Sequence, residues 1–376
     1  MAILLVSISM DPQRGGGTAE RTRRLALNLA AIGSPCQVAT MEGGVYADEL
    51  RAAGIPVLVT GYVKLKFHLP LINPFALLRV VRAARTVHVL GYWNLLSVAT
   101  SWLARASGRP YVLSAAGEFA ALDHPRPVSR LFHRLFGRAM LTNAASLIAI
   151  TALERNQIID RFGVPADRVV VIPNGVAIPP QSPPVARTDG EKVLLFVGRL
   201  APIKGPDLLL EAFALSADRL ADLRLILAGP DFGSREQLKR RIDELGLGKR
   251  VELIGFVDER ARTDLFGRAL LVTVPSRAEA MSLVALEAGA AGLPVLLTDQ
   301  CGFDDVANIG GGAVVAATAE ALAEGLVQLL TDRSALPAMG QRLRDHVARR
   351  YAWPAVAAEL RDHLAMLARP ATRRTP

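Results

Sequence analysis

Glu279 and Glu287 are two carboxylates eight positions apart in the run PSRAEAMSLVALEAGAAGLPV, Pro275 to Val295. The run begins where an apolar strand candidate, Leu271–Val274, ends, and open α/β sheets bind ligands outside the carboxyl ends of their strands. Glu279 is therefore expected in a loop and Glu287 on the following helix. Ala280, Met281, Ser282 and Leu283 fall near the N-terminus of that helix, where free backbone N–H groups and the positive dipole end suit a phosphate. Glu287 faces the same end, where a carboxylate accepts paired hydrogen bonds from vicinal sugar hydroxyls. Taken alone, two glutamates at this spacing fit solvated helix residues better than a ligand site.

A second run, LLFVGRLAPIKGPDLLLEAF from Leu194 to Phe213, delivers Gly198 and Arg199 at the carboxyl end of a buried strand. Lys204 follows just before a helix that starts at Pro206. Arg199 can grip two oxygens of a pyrophosphate and Lys204 supplies a point charge, although an Arg and a Lys five apart also occur as ordinary surface charges. A third run, QRGGGTAE, places Gly15, Gly16 and Gly17 between the first strand and first helix, with Thr18 as a candidate cap. It is not the G-x-G-x-x-G fingerprint, because Glu20 stands where the last glycine belongs. A flexible turn explains it as well as a ligand loop does.

These residues need strand ends to carry them, and the chain supplies such ends throughout. Short β-branched runs alternate with helical patterns, which implies parallel sheets flanked by helices. The strand candidates are Ile3–Ile8, Cys36–Thr40, Val57–Thr60, Thr86–Leu90, Tyr111–Ser114, Leu147–Ile150 and Val169–Ile172, then Lys192–Val197, Leu223–Ala228, Val251–Ile254, Leu271–Val274 and Val295–Thr298. Helical stretches include Ala19–Ile32 and Asn94–Ala106. The segment 173–192 holds five prolines and no periodicity, so it reads as a linker between residues 1–172 and 193–351. Val356, Leu360, Leu364 and Leu367 share one face of a last helix, 352–367, which must bury that stripe and can pack back on the first domain.

The 376 residues suit two domains, and 51% apolar content gives each a core. Cys36 and Cys301 are too isolated for a disulfide framework or a zinc site, which fits a reducing cytoplasm. Ala2 to Ile8 is too short for a signal-peptide core, and no window reaches the roughly 18 uncharged apolar residues of a membrane span. The net charge of +9 is unevenly spread: residues 1–172 hold 19 Lys and Arg against 10 Asp and Glu, and the remainder hold 25 of each.

In their order along the chain, these strings resemble glycosyltransferase family 4, the retaining nucleotide-sugar transferases of the GT-B fold. The resemblance rests on Glu279 and Glu287 with seven residues between them, Val197–Leu200 with Lys204 and Gly205, IPNGV at Ile172–Val176, and Gly15–Gly17. It spans nearly the whole chain and implies two Rossmann-like domains facing across a cleft, joined by a C-terminal crossover helix. It implies that Arg199 and Lys204 bind the donor diphosphate, Glu287 the ribose and Glu279 the transferred sugar. Gly255, Phe256 and Val257 match the segment beside the base, and Gly16 and Gly17 would close over the pyrophosphate from the first domain. Transfer would be front-face, with charge on the leaving diphosphate neutralised by Arg199, Lys204 and helix N-termini. No Asp-x-Asp motif is present and Asp304-Asp305 is a poor substitute, so neither a metal nor another cofactor is expected.

Two departures stand out. Ala280-Met281-Ser282 replaces the frequent Gly-Phe-Gly, and Ala115-Ala116 stands where many members place a His. Glu118 and His88, the latter read as lying at a strand end facing the cleft, are the candidates to replace it.

Arg126, Arg130, Arg134 and Arg138 recur every four residues, with Leu131, Phe132, Leu135 and Phe136 on another helix face. With Lys64, Lys66, Arg79, Arg82 and Arg85 they suit an anionic membrane surface, though a solvated face over an ordinary core explains any single helix. Nucleic acid is not the expected partner, since aromatics are 5% and no binding motif appears. The expectation is a cytoplasmic enzyme, peripheral on the inner face of the plasma membrane. It would move a hexose from a UDP- or GDP-sugar to a saccharide acceptor, lipid-linked, in bacterial surface polysaccharide biosynthesis. A nucleotide-sugar epimerase of the same architecture and a non-catalytic nucleotide-binding module are the rival readings.

Overall fold

The computed structural model describes residues 2–63, 69–71, 73–122, 126–180, 192–303 and 305–368. The chain divides into two compact units, Met1–Gly175 with Trp353–Pro376, and Val176–Ala352.

The first unit is built on seven parallel strands: β1 (Ile3–Ser9), β2 (Cys36–Glu42), β3 (Val57–Val59), β6 (Thr86–Leu90), β7 (Tyr111–Ser114), β8 (Ser146–Ala149) and β9 (Val169–Val171). A small antiparallel pair, β4 (Tyr62–Val63) and β5 (Leu69–Pro70), stands apart. The strand order is β3-β2-β1-β6-β7-β8-β9. Ile3, Leu4, Leu5 and Val6 of β1 are all buried because helices cover both faces, so the strand reads as a continuous apolar run. The order reverses between β1 and β6, and the crevice beyond their carboxyl ends is where such sheets take ligands.

The second unit repeats the scheme with β10 (Lys192–Val197), β11 (Leu223–Ala228), β12 (Val251–Ile254), β13 (Ala269–Val274), β14 (Val295–Thr298) and β15 (Gly312–Val315), in the order β12-β11-β10-β13-β14-β15. Here the reversal falls between β10 and β13.

The helix Trp353–Leu367 belongs to the first unit. Val356, Leu360 and Leu364 are fully buried in one core cluster with Leu25 and Leu29 of the Pro12–Ala31 helix and Ile3 and Leu5 of β1. The stripe packs back as its periodicity requires. Pro173 and Asn174, at the start of the expected linker, are held by Arg21, which donates to the Ile172 and Pro173 carbonyls and to Asn174 Oδ1. Residues 181–191 of that linker lie outside the described residues, as do Lys64, Lys66 and Asp304.

Three readings need correction. The glycines are not a loop ahead of the helix: the helix starts at Pro12, capped by Asp11 rather than Thr18, and Gly16 (φ 50°) breaks it within its first turns. A left-handed residue there is cheap only for glycine. The arginine segment is not one regular helix, because a π turn, His133–Gly137, separates Pro127–Phe132 from Arg138–Asn143. Leu131 and Leu135 are exposed while Phe132 is buried. Finally, Gly312–Val315 forms an edge strand that was not expected.

Candidate active site

Residues from four runs of sequence collect at the carboxyl ends of β10–β14 in the second unit. β10 ends in Gly198 and the exposed Arg199, whose guanidinium lies 5.2 Å from the centre of the Phe232 ring, a cation–π contact that orients it. The backbone then turns through Pro202–Lys204 into Gly205 and the Pro206–Leu215 helix. β13 ends at Val274, followed by the loop that carries Ser276, Arg277 and Glu279.

Lys204 Nζ lies 2.8 Å from Glu279 Oε1. Ser276 Oγ donates to the same carboxylate, and Glu279 N–H donates to the Gln300 carbonyl at 2.9 Å. Arg277 clamps the loop from outside, forking onto both oxygens of Asp207 at 2.8 and 2.6 Å. A bidentate pair of this kind fixes geometry as well as charge. Beneath the loop, Thr298 Oγ1 donates to the Ser276 carbonyl and Cys301 Sγ to the Val274 carbonyl, so the end of β14 is stitched to the end of β13. Cys301 is structural: burial pushes its thiol up to about 11.

The helix Leu283–Ala290 opens directly onto this loop. Ser282 caps it, its Oγ accepting from Ala285 N–H at 3.3 Å, while Ser282 N–H donates to the Cys301 carbonyl at 2.9 Å. Leu283 and Val284 are its first two residues, and N–H groups at those positions have no acceptor within a helix. Met281 is buried and Ala280 exposed. Glu287, one turn further on, is mostly buried and pairs with Arg262 of the Glu259–Arg268 helix at 3.3 Å. Burial raises the Glu287 carboxyl above its usual range, Arg262 opposes that rise and Glu259 adds to it. Arg262 carried no signal in the sequence, where it reads as one more helix-surface cation.

Gly255 and Phe256 follow β12, with Phe256 exposed and Val257 half-buried. Gly229 N–H donates to the Ile254 and Gly255 carbonyls at 3.2 and 3.0 Å, which ties the ends of β11 and β12 together. The structure thus brings Gly198, Arg199, Lys204, Gly255, Phe256, Val257, Glu279, Ala280–Leu283 and Glu287 to the carboxyl side of one sheet.

Gly16, Gly17 and His88 belong to the first unit. Gly16 and Gly17 are exposed beyond the carboxyl end of β1, beside that sheet's own reversal. His88 does not lie at a strand end. It is the third of five residues in β6, fully buried, its ring nitrogens without hydrogen-bond partners. Burial first, then the charges of Arg21 and His363, hold its pKa well below the ordinary imidazole value. A neutral ring sealed in a sheet cannot take a proton from an acceptor hydroxyl. Glu118 accepts N–H bonds from Tyr92 at 2.6 Å and Trp93 at 3.4 Å. His88 is thereby removed as a candidate base, whereas Glu118 keeps its second oxygen clear of these two N–H bonds.

Sequence reasoning overlooked Glu154. This buried carboxylate accepts from Gly117 N–H and Ile150 N–H, both at 2.7 Å, tying the carboxyl ends of β7 and β8. Burial pushes its pKa up, the two N–H groups pull it down, and so does the charge of Arg21. Between those strand ends, Ala116 adopts φ 47°, the one positive value at a non-glycine among the described residues. Strain of this kind persists only where the surroundings over-determine it.

Among the described residues no three His, Cys, Asp or Glu side chains form a metal-binding group, and no helix is long and apolar enough to cross a membrane. Asp305 accepts from Tyr351 at 2.9 Å and lies 3.1 Å from His346.

Two family models match the chain: Glycosyl transferase 4-like domain over residues 16–175, and Glycosyl transferases group 1 over residues 178–346. A D-inositol 3-phosphate glycosyltransferase of Nocardia farcinica is 31% identical, covering 93% of this chain and 85% of its own. A protein of the same name from Gordonia bronchialis is 32% identical over 68% of this chain and 60% of its own. Among solved structures the chain is similar to Anabaena HepE in complex with UDP, at TM-score 0.75 and 20% identity, covering 97% of this chain and 100% of that one. It is also similar to sucrose-phosphate synthase of Thermosynechococcus elongatus, at TM-score 0.71 and 22% identity, covering 98% and 99%. Likeness at these identities shows the fold.

Proposed function

We propose, for a chain that belongs to glycosyltransferase family 4 and is a hexosyltransferase of the GT-B fold, that it moves a hexose from a UDP- or GDP-sugar to a saccharide hydroxyl with retention at the anomeric carbon. The observation that carries this reading is the Lys204–Glu279 pair at the sheet reversal, one loop away from the N-terminus of the Leu283–Ala290 helix. A departing nucleoside diphosphate gathers negative charge in the transition state. Lys204, Arg199 and the first N–H groups of the helix are fixed donors for that charge, and preorganised donors of this kind are worth about 3–4 kcal/mol each in such sites. Glu279, held by Ser276 and Lys204, would take hydroxyls of the transferred sugar, and Glu287 those of the ribose. With the charge met by side chains and backbone, the reaction proceeds without a divalent metal.

The acceptor belongs with the first unit, in which Lys and Arg outnumber Asp and Glu by 23 to 12 against 21 to 23 in the second. Such an excess recruits an anionic partner. Exposed Phe75, Trp102, Leu131 and Leu135 accompany the arginines, which supports a lipid-linked acceptor at a cytoplasmic membrane face and a role in bacterial surface polysaccharide assembly. The same charge, together with the name of the Nocardia farcinica relative, supports a second reading, a phosphorylated polyol such as D-inositol 3-phosphate as acceptor.

The test is a transfer assay pairing UDP- and GDP-hexoses with lipid-linked saccharides and inositol phosphates, with and without EDTA, the product anomer being read by NMR. A retained anomer formed in EDTA supports the proposal. An inverted anomer, full dependence on a metal, or alteration of the free nucleotide sugar without acceptor overturns it, the last in favour of an epimerase.

A further inference from the structure

We infer that the first unit carries a second anion site, for a phosphate ester, at the end of its sheet opposite the strand carboxyl ends. A cavity of about 500 Å³ opens there among Arg105, Arg109, Tyr111, Asn143, Leu367 at the end of the C-terminal helix, and Ala368 just beyond it. Tyr111 is the first residue of β7, and Val87 N–H of β6 donates to the Pro110 carbonyl, so the cavity lies where parallel strands begin. The Gly16, Gly17 and Ala116 segments lie where those strands end. The site is therefore distinct from the candidate site at the carboxyl ends of β10–β14, and it does not rest on the proposed transfer.

Its chemistry follows from the donors. Arg109 spends Nη2 on the Arg82 carbonyl at 2.8 Å, while its Nε is buried with no hydrogen-bond partner. Arg105 is exposed on the rim, and none of the lining residues is acidic. Asn143 uses Nδ2 to reach the Ala139 carbonyl at 2.7 Å, and an amide nitrogen has a second hydrogen to give. Tyr111 turns its own hydroxyl away, donating to the Met140 carbonyl at 2.6 Å. Two guanidinium groups and an amide call for an acceptor with several oxygens, and a phosphate satisfies them better than a carboxylate does. Leu367 and Ala368 offer an apolar wall to a short organic remainder.

A ligand seated here bridges the last turn of the C-terminal helix to the Leu95–Ala106 helix. Its binding therefore stabilises the first unit by linkage. The phosphate has two possible sources, a soluble ester or a lipid headgroup. Trp102, exposed one turn before Arg105 on the same helix, would report the second through its fluorescence.

The experiment measures binding of glycerol phosphate by calorimetry, and of phosphatidylglycerol against phosphatidylcholine vesicles by sedimentation, each with and without saturating UDP. Wild type is compared with Arg105→Ala and Arg109→Ala. Loss of one or two charged hydrogen bonds should weaken binding at least about tenfold in each variant. Arg105→Ala keeps the test open even where Arg109→Ala loosens the Arg82 contact. Binding of the soluble ester identifies a metabolite site, and binding of phosphatidylglycerol vesicles alone identifies a headgroup site. Equal binding by wild type and Arg105→Ala, abolition of binding by UDP, or no binding of either probe overturns the inference.

Discussion

Replacing Gly205 by alanine tests how tightly the candidate site is built, because Gly246 provides a matched control. Both glycines are left-handed, at φ 67° and 66°. A Cβ on Gly246 meets nothing within 4 Å, whereas a Cβ on Gly205 falls 2.0 Å from the Pro275 carbonyl oxygen and 2.9 Å from its carbon. Gly246→Ala therefore carries the left-handed cost alone, about 1–2 kcal/mol. Gly205→Ala adds an overlap with backbone that no rotamer relieves, a further penalty of about 1–3 kcal/mol. Pro275 leads into Ser276 and Glu279, and Gly205 follows Lys204, so parting the two segments pulls on the ion pair itself. Urea unfolding of both variants should place Gly205→Ala below Gly246→Ala by that second amount. The transfer assay should show a large rate loss only for Gly205→Ala. Equal destabilisation of the two, or a wild-type transfer rate in Gly205→Ala, refutes the reasoning.

Glu154→Ala leaves Gly117 N–H and Ile150 N–H without an acceptor and removes the carboxylate charge that acts on the buried Arg21. The expected loss is about 2–5 kcal/mol, read as a lower thermal midpoint, with Glu154→Gln recovering part of it. Glu20 shows a depressed carboxyl: burial works against its charge, but the Arg23 and Arg24 hydrogen bonds prevail and bring it to about 2. Native protein thus binds this proton less readily than unfolded chain, so the stability from Glu20 is present above the ordinary carboxylate range and disappears as pH falls towards 2. Glu20→Gln should flatten that part of the acid-unfolding curve, and an unchanged curve would deny the pair its role.

The strands were legible where helices cover both faces. Thr86–Leu90, Tyr111–Ser114, Lys192–Val197, Leu223–Ala228 and Val295–Thr298 coincide with observed strands because burial on both sides writes a mostly apolar run, and the short edge strand Val251–Ile254 coincides as well. Gly312–Val315 escaped because it starts on the last of three successive glycines, a composition that reads as a turn. Gly15–Gly17 hid a helix start for the same compositional reason, since Asp11 caps it before the glycines begin. The residues at the carboxyl ends of β10–β14 could be gathered from sequence because their strings abut strand ends. His88 and Glu154 show where that stops. The expected strand Thr86–Leu90 already set His88 at its middle, where a side chain is covered rather than presented at a strand end, and a lone glutamate in ALERN looks solvated until the fold closes over it.

The claim that the second unit's sheet reversal neutralises a donor diphosphate is tested most directly by the initial rate of hexose transfer in Lys204→Ala against wild type, at saturating donor. Removing a fixed donor from a developing anion should lower that rate by about 100-fold or more in a variant that remains folded at the assay temperature. A folded Lys204→Ala enzyme that transfers at the wild-type rate would contradict the account.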